Sequence, residues 1–447
     1  MAHKRIITWR NAHLLLLLII AALMPFAMNL ISYALILWFI TGLVVFIRER
    51  KTLPRVKMDK GLIFLFLYYA LVLAGIFWSQ NKAAAWFDAQ VKLSLLILPI
   101  PVLLLRSLYA SCRNMVLLVF VLANVVAGLT CMVVALYHSL HFGPAGLSFD
   151  PTVPGIYEDV NTAPSSYFAY TDFSIFKHPA YFSMYLTMSV FFMIHLVFSG
   201  YKPVKHKGWR WLLIVVIFLV LFTSIYFLQS KAGYASLFVL LFIAAFIYLV
   251  RKRKWFYAVA AMILIGALGF VWMRTNSRFY YIREAIGKRS EFAVLVRNGD
   301  YRKMIDEYGI DRIPLWMVTA RAGTEYFWTG CGSGDVHDVL NAKFKEYRLW
   351  ELEAKKYNAH NQFLETFLAI GIFGLLFLLG WLFLPLFYKR TWQSGGWILA
   401  VFLGLLVLNY FFESMLNSFA GVIFTAYFYT LFVGTEMLSF KSSPEKQ

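Results

Sequence analysis

No charged side chain occurs in the stretch Trp211-Leu-Leu-Ile-Val-Val-Ile-Phe-Leu-Val-Leu-Phe-Thr-Ser-Ile-Tyr-Phe-Leu-Gln229. A helix of about 20 apolar residues crosses the hydrocarbon core of a bilayer, because each residue advances the helix by about 1.5 Å. The basic loop Lys202–Arg210 precedes this run, and Lys231 follows it closely. The run therefore predicts a transmembrane helix with basic residues near both ends.

Runs of this kind recur along the whole chain, which is 61% hydrophobic and only 15% charged. A soluble domain is nearer to half apolar and a quarter charged. The predicted spans are 12–29, 30–47, 61–78, 91–105, 115–137, 179–199, 211–229, 233–250, 256–273, 362–388, 396–411 and 418–438. The fourth contains Pro99 and Pro101 and is predicted to be kinked. The sequence thus predicts an all-α integral membrane protein with about 12 transmembrane helices.

Lysine and arginine residues set the predicted orientation, because the cytoplasmic loops of membrane proteins carry an excess of them. Basic stretches alternate along the chain with poorly charged connections. These stretches are Lys4–Arg10, Arg48–Lys60, Arg106–Arg113, Lys202–Arg210, Arg251–Lys254, Lys389–Arg390 and Lys441–Lys446. Placing all of them in the cytoplasm puts both termini inside. The net charge of +19 is explained in this way, so no nucleic-acid partner is expected.

The predicted spans divide the chain into three parts. Residues 1–273 hold helices 1–9 with short loops, and residues 362–447 hold helices 10–12 and a short cytoplasmic tail. Residues 274–361 are too polar to lie in lipid. They are predicted to form one large loop between helices 9 and 10, on the non-cytoplasmic side.

The first candidate site residue is His360, in Asn358-Ala-His360-Asn361-Gln362 directly before an apolar run. A helix N-terminus favours the neutral imidazole, which can accept a proton from a hydroxyl. The alternative is that Asn358 or Asn361 caps the helix and His360 only lines the membrane interface. Glu365 lies inside the span, where carboxylates are expensive and usually functional.

A group of cations is predicted to lie at the same membrane level as His360. Lys231 opens a span, and Arg274, Arg278 and Arg283 follow the ninth span. Such a cluster suits an anionic head group such as a diphosphate, although Lys231 could simply extend to the interface. Arg312 and Arg321 are further candidates in the large loop, and their spacing places them on different faces of a helix.

Two short motifs in the large loop are weaker signals. The alternate glycines of Gly330-Cys-Gly-Ser-Gly334 could aim N–H groups at an anion, but a plain turn is the favoured interpretation. Asp335-Val-His337-Asp338 offers few ligands for a metal. We therefore predict neither a metal site nor a cofactor.

Together these features resemble the O-antigen ligase and polymerase family of multi-pass inner-membrane glycosyltransferases. Ser230-Lys-Ala-Gly-Tyr-Ala-Ser236 is similar to the Ser-Arg-Gly turn of that family. Arg312-Ile-Pro-Leu-Trp316 through Gly330-Cys-Gly-Ser-Gly334 resembles its Arg-x-x-x-Trp … Gly-x-Gly segment. Ala359-His-Asn-Gln-Phe-Leu-Glu-Thr-Phe-Leu-Ala-Ile-Gly371-Ile-Phe-Gly374 resembles its His-Asn-x-x-Leu … Gly-x-x-Gly signature, the most specific of the three. Lys231 replaces the usual arginine, which retains the charge without the two-pronged geometry.

The resemblance implies a location in the bacterial inner membrane, with the large loop in the periplasm. It also implies a donor glycan on undecaprenyl diphosphate and an acceptor sugar hydroxyl, with lipid A–core as the first choice of acceptor. A polymerase that joins lipid-linked repeats, or transfer to a protein, remains open. In this scheme His360 is the base, supported by Asn361 and Glu365. The predicted diphosphate ligands are Lys231, Arg274, Arg278, Arg283, Arg312 and Arg321.

Three other classes are possible. One is a glycosyltransferase that uses an acidic residue of its first outer loop, here Asp88. Another is a non-enzymatic transporter of lipid-linked sugars, which would need charges inside the spans; Glu413 is the nearest example. The third is a structural membrane protein with a passive outer domain.

Overall fold

The computed structural model describes residues 8–26, 28–51, 53, 58–144, 146–154, 166–251, 253, 255–275, 287–392 and 396–435. The helices are α1 (Trp9–Leu23), α2 (Met28–Glu49), α3 (Lys60–Trp78), α4 (Lys82–Lys92), α5 (Ser94–Ile97), α6 (Pro99–Leu104), α7 (Arg106–Ser139), α8 (Tyr170–Phe173), α9 (Pro179–Phe198), α10 (Lys207–Leu228), α11 (Lys231–Arg251), α12 (Trp255–Thr275), α13 (Arg289–Asn298), α14 (Tyr301–Asp306), α15 (Arg312–Glu325), α16 (Val336–Glu346), α17 (Trp350–Ala354), α18 (Gln362–Phe383), α19 (Trp397–Phe412) and α20 (Phe419–Thr435). Strands β1 (Leu140–Gly143) and β2 (Gly146–Phe149) form an antiparallel hairpin.

Eight stretches of helix are long and apolar enough to cross a membrane. They are Met28–Glu49, Lys60–Trp78, Lys82–Leu104, Arg106–Ser139, Pro179–Phe198, Lys207–Leu228, Lys231–Leu249 and Gln362–Phe387. Four shorter apolar helices accompany them: Trp9–Leu23, Trp255–Val271, Trp397–Phe412 and Phe419–Gly434. Each predicted span coincides with one of these helices. The all-α membrane class is thereby confirmed, while the count of about 12 spans stays a prediction.

The predicted fourth span is broken, as its two prolines indicate. Its apolar stretch Lys82–Leu104 is divided into α4, α5 and α6, and Pro99 and Pro101 both lie in α6. Proline lacks the N–H that would continue the hydrogen-bond ladder of a helix, so the ladder is interrupted here.

The interior of the bundle is built from aromatic side chains of α7, α9 and α20. The ring of Phe428 lies 4.8 Å from that of Phe120 and 4.9 Å from that of Phe192. All three rings are fully buried. The Phe120–Phe428 pair is edge-to-face, and such packing adds to the van der Waals attraction that holds membrane helices together.

Helix α18 is kinked where the glycine-rich segment docks on it. At Gly371 the backbone has φ 70°, outside the helical region. The kink leaves the carbonyl groups of Leu368 and Ala369 available, and they accept from the N–H groups of Cys331 (2.8 Å) and Gly332 (3.0 Å). These N–H groups bind backbone rather than an anion, which agrees with the favoured prediction of a plain turn.

Replacing Gly371 with alanine is expected to destabilise the protein by more than about 2 kcal/mol. An added Cβ would lie 2.2 Å from the carbonyl oxygen of Trp328, and alanine disfavours a positive φ. The measurement is the thermal unfolding midpoint in detergent. The matched control is Gly266→Ala in α12, where nothing lies within 4 Å of an added Cβ. Equal midpoints for the two variants would show that the kink is not required.

A second contact joins the segment between α15 and α16 to the turn between α3 and α4. The Asp335 carboxylate accepts from the backbone N–H groups of Gln80 and Asn81, each at 2.7 Å. The hydroxyl of Ser79 accepts from the N–H of Gly334 at 3.1 Å. The motif considered as a partial metal site thus supplies a carboxylate that holds two parts of the fold together.

Candidate active site

The backbone of His360 is held in an uncommon conformation just before α18. Its φ of 43° is left-handed, which costs free energy for a residue other than glycine. Its N–H donates to Asn358 Oδ1 (2.9 Å), and its carbonyl accepts from the indole N–H of Trp316 (3.3 Å). The ring of Tyr357 meets the imidazole edge-on at 4.9 Å. These contacts fix the direction in which the imidazole points.

The imidazole of His360 is paired with a carboxylate. Its Nδ1 lies 2.7 Å from Oε1 of Glu413. An ionised Glu413 carboxylate can only accept a hydrogen bond, so in that state of the pair Nδ1 carries the proton and donates. In the neutral ring the lone pair is then on Nε2. Such a pair is the usual arrangement of a histidine that acts as a general base.

Glu413 in turn lies beside a cation. Oε2 of Glu413 is 3.8 Å from Nη2 of Arg312, and the glutamate side chain is only 10% exposed. Burial raises the pKa of the Glu413 carboxyl, while the charge of Arg312 and the N–H of Ser414 act in the opposite direction. The charge of His178 also lowers this pKa. The site therefore combines imidazole, carboxylate and guanidinium groups at one point.

Asn361 connects this site to α18. Its Oδ1 accepts from the N–H groups of Phe363 (3.0 Å) and Leu364 (3.1 Å), so it is the N-cap of the helix. Its Nδ2 donates to the carbonyl of Phe411 at 3.1 Å, at the end of α19. Asn361 therefore caps the helix, as one of the two alternatives proposed, while the role of His360 as a base stays a prediction.

The first turn of α18 also holds the segment that follows Glu413. The side-chain oxygen of Gln362 accepts from the N–H of Leu416 at 2.6 Å. The carboxylate of Glu365 accepts from the Asn417 side chain at 2.7 Å and from the N–H of Ala359 at 2.9 Å. Glu365 is therefore a positioning residue that ties the His360 loop to the Glu413 segment.

Asp88, the acidic residue of the alternative enzyme class, pairs with a lysine of its own helix. It forms an ion pair with Lys92 one turn later in α4. Both side chains line a small cavity that Glu365, Gln362 and Asn417 also line. Its charge is thus balanced within its own helix.

The two arginines of α15 have different surroundings. Arg312 opens the helix next to Glu413, and its Nη1 is buried without a hydrogen-bond partner among the described residues. Arg321 instead lies over the rings of Tyr301 (5.5 Å) and Tyr347 (6.0 Å). A hydrogen bond with Tyr347 is the main cause that raises the pKa of Arg321. Arg312 is therefore the arginine that the structure brings to His360.

The remaining predicted cations are only partly described. Lys231 is exposed at the first residue of α11, after a left-handed residue at Gln229. Arg274 lies in the last turn of α12, with its guanidinium 5.3 Å above the ring of Phe270. Arg278 and Arg283 lie outside the described residues. The grouping of these four cations with His360 stays a prediction.

Sequence reasoning did not identify the residues just before α9. His178 caps α9, where its Nδ1 accepts from the N–H of Ala180 at 3.4 Å. Its neighbour Lys177 is only 9% exposed, and Nζ makes no hydrogen bond with any described residue. The amine lies 5.8 Å above the ring of Tyr185. The signal in the sequence was a basic pair, Lys177 and His178, directly before a proline that begins an apolar run.

Burial lowers the pKa of Lys177 from 10.5 to about 8. The unfolded chain therefore binds more protons than the folded protein between these two pH values, so stability rises as the pH increases through that window. We expect the thermal midpoint of the protein to increase from pH 8 to pH 10. We expect Lys177→Met to raise the midpoint at pH 7 and to flatten this dependence, because a buried unpaired cation is removed. The exposed Lys345→Met variant should behave like the parent protein, and an unchanged slope in Lys177→Met would contradict the account.

The fold and this site define a multi-pass membrane protein in which a histidine just before one apolar helix pairs with a carboxylate that follows another, beside an arginine. Residues 214–379 match the model of a family described as O-antigen ligase. The match confirms the predicted relationship to the O-antigen ligase and polymerase family and indicates a glycosyltransferase-type enzyme. The matched range includes Lys231, Arg312 and His360, whereas Glu413 lies beyond it. No curated protein matches the chain.

Proposed function

We propose that this protein transfers a glycan from undecaprenyl diphosphate to a sugar hydroxyl, with His360 as the general base. The observation that carries the proposal is the 2.7 Å contact between Nδ1 of His360 and Glu413, with Arg312 beside the same carboxylate. The family match over residues 214–379 supports the type of reaction. Glu413 orients the imidazole so that Nε2 faces the acceptor.

The proposed reaction has one proton transfer and one exchange of bonds at the anomeric carbon. The acceptor O–H gives its proton to Nε2 of His360 as its oxygen attacks the anomeric carbon. The bond from that carbon to the diphosphate oxygen breaks, and its electron pair leaves with undecaprenyl diphosphate. Negative charge therefore grows on the leaving group, and fixed cations near it lower the barrier.

Arg312 is the first candidate to stabilise that charge. Its side chain is 39% exposed, and one end of its guanidinium approaches Glu413. The buried Nη1 has no hydrogen-bond partner among the described residues, so a donor phosphate oxygen that reached it would complete its hydrogen bonding. Lys231, Arg274, Arg278 and Arg283 complete the proposed diphosphate site, and Arg321 contributes charge from a greater distance. Cationic side chains in this number make a metal ion unnecessary in the proposal.

The proposal places this chemistry on the outer face of the bacterial inner membrane. Residues 1–273 and 362–447 form the membrane-embedded parts with both termini in the cytoplasm, and residues 274–361 form the periplasmic loop. The distribution of basic stretches along the sequence supports this orientation. The lipid tail of the donor then lies between helices, with its diphosphate at the interface beside His360.

Lipid A–core is our first choice of acceptor, which makes the protein an O-antigen ligase. The second choice is another lipid-linked repeat, which makes it a polymerase. The family relationship supports both equally. The acceptor therefore has to be identified by experiment.

The test is a reconstitution of the purified protein with a lipid-diphosphate-linked glycan. Lipid A–core and a second lipid-linked repeat are offered as acceptors in separate reactions, each with and without a chelator. We expect one acceptor to gain sugar, at a rate that the chelator does not change. Transfer to neither acceptor would contradict the proposed function, and loss of transfer with the chelator would contradict the role assigned to the cations.

A further inference from the structure

The hairpin that follows α7 has two chemically different faces. In its register Leu140 is opposite Phe149, and Phe142 is opposite Leu147. Side chains two residues apart in a strand point to the same face, so these four apolar residues share one face. The other face carries His141, Gly143, Gly146 and Ser148.

Most of the apolar face of the hairpin is left uncovered by the described residues. Phe142 is 86% exposed, Leu147 is 61% exposed and Phe149 is 57% exposed. A two-stranded hairpin alone is at best marginally stable, and it needs its apolar face packed against something. This face therefore requires an occupant.

The position of the hairpin identifies the occupant. It begins directly after α7, whose exposed stripe consists of apolar residues at helical spacing. The stripe comprises Leu122, Val126, Leu129, Val133, Leu136 and Tyr137. In a membrane-spanning helix such a stripe faces lipid. The stripe ends three residues before Leu140, so the apolar face of the hairpin continues the lipid-facing surface.

Ring contacts also place the hairpin at the height in the membrane that this continuous apolar surface requires. The ring of Phe149 lies 6.3 Å from that of Phe168, which lies 5.1 Å from that of Phe227. Phe227 is at the end of the membrane-spanning helix α10, where it leaves the apolar layer. The base of the hairpin is therefore at the boundary between lipid and water. Lysine, arginine, aspartate and glutamate are absent from both strands.

We propose that the β1–β2 hairpin is an interfacial membrane anchor that lies with its apolar face in the lipid head-group layer. Phe142 and Leu147 contact acyl chains, and His141 and Ser148 face water. An amphipathic element of this kind binds a membrane surface by burying apolar area at the head-group boundary. The anchor holds the hairpin and the end of α7 at a fixed height relative to the bilayer. The anchor uses none of the residues assigned to glycan transfer. A test of the anchor therefore does not depend on the proposed function.

The test uses the full-length protein in lipid nanodiscs with a single environment-sensitive NBD fluorophore. Cys112, Cys131 and Cys331 are first replaced by serine or alanine. Single cysteines are then introduced as Phe142→Cys and Leu147→Cys on the apolar face. The matched controls are His141→Cys and Ser148→Cys, one residue away on the other face. The quencher is phosphatidylcholine with a doxyl group high on its acyl chain.

We expect NBD at positions 142 and 147 to emit at shorter wavelength and to be quenched at least about twofold more strongly than at 141 and 148. Equal quenching on both faces would overturn the proposal. Disulfide cross-linking between two copies through Leu147→Cys, with no lipid quenching, would identify a second copy as the occupant. Short-wavelength emission without lipid quenching or cross-linking would show that the chain itself covers this face, and this result also overturns the proposal.

Discussion

Replacing His360 with alanine is expected to lower the rate of glycan transfer by about 10²–10⁴-fold, the range that general base catalysis contributes. The substitution removes the group that accepts the proton from the acceptor hydroxyl. The cap of α18 is made by Asn361 and is unaffected. Binding of the lipid-linked donor should therefore be nearly unchanged while the rate of the chemical step falls. Transfer rate and donor affinity are measured separately in the reconstituted system.

The matched control for this variant is His337→Ala. His337 is an exposed residue of α16 in the same hydrophilic segment, and the proposal gives it no role. We expect its transfer rate to equal that of the parent protein. If His360→Ala transferred glycan as fast as His337→Ala, His360 would not be the base.

Replacing Glu413 with glutamine is expected to lower the transfer rate by about 10²-fold or more. Glutamine has nearly the same shape, but its amide N–H₂ can donate to Nδ1 of His360 and so place the proton on Nε2. The ring would then present an N–H to the acceptor instead of a lone pair. The charge that stabilises the imidazolium after proton transfer is also lost.

Nitrogen NMR on labelled protein measures the tautomer of His360. It shows whether Glu413→Gln changes the protonation of the imidazole or only disturbs the fold. The parent protein should show the proton of the neutral ring on Nδ1, and Glu413→Gln should shift it to Nε2. The control is Glu325→Gln, which removes an exposed carboxylate paired with Lys343. A slow Glu413→Gln variant with an unchanged tautomer would limit Glu413 to a structural role.

The membrane fold could be predicted from the sequence because one property decides it. An apolar run of sufficient length has no stable place other than a bilayer, and Trp211–Gln229 shows this without any knowledge of its neighbours. The kink of α18 could not be predicted in the same way. The kink is accompanied by hydrogen bonds from Cys331 and Gly332, which are distant in the chain from Leu368 and Ala369.

Only part of the candidate site could be predicted from the sequence. His360 and Asn361 could be identified locally, because both precede an apolar run and their chemistry suits a helix start. Glu413 was noticed only as a carboxylate near the end of a span. Its pairing with His360 bridges 53 residues and depends on how α18 and α19 pack. The charge of His178, which lies in a third part of the chain, lowers the pKa of Glu413, and this effect also depends on tertiary structure.

Labelling of position 360 from the two sides of the membrane tests the location on which all of this chemistry depends. His360→Cys is prepared in the background without native cysteines and treated with a membrane-impermeant maleimide in intact cells with a permeabilised outer membrane. Lys60→Cys, in a basic stretch assigned to the cytoplasm, serves as the opposite control. We expect position 360 to react from outside and position 60 only after the inner membrane is opened. Reaction of position 360 only from the cytoplasmic side would contradict the account, because no lipid-linked donor or acceptor is expected to meet His360 there.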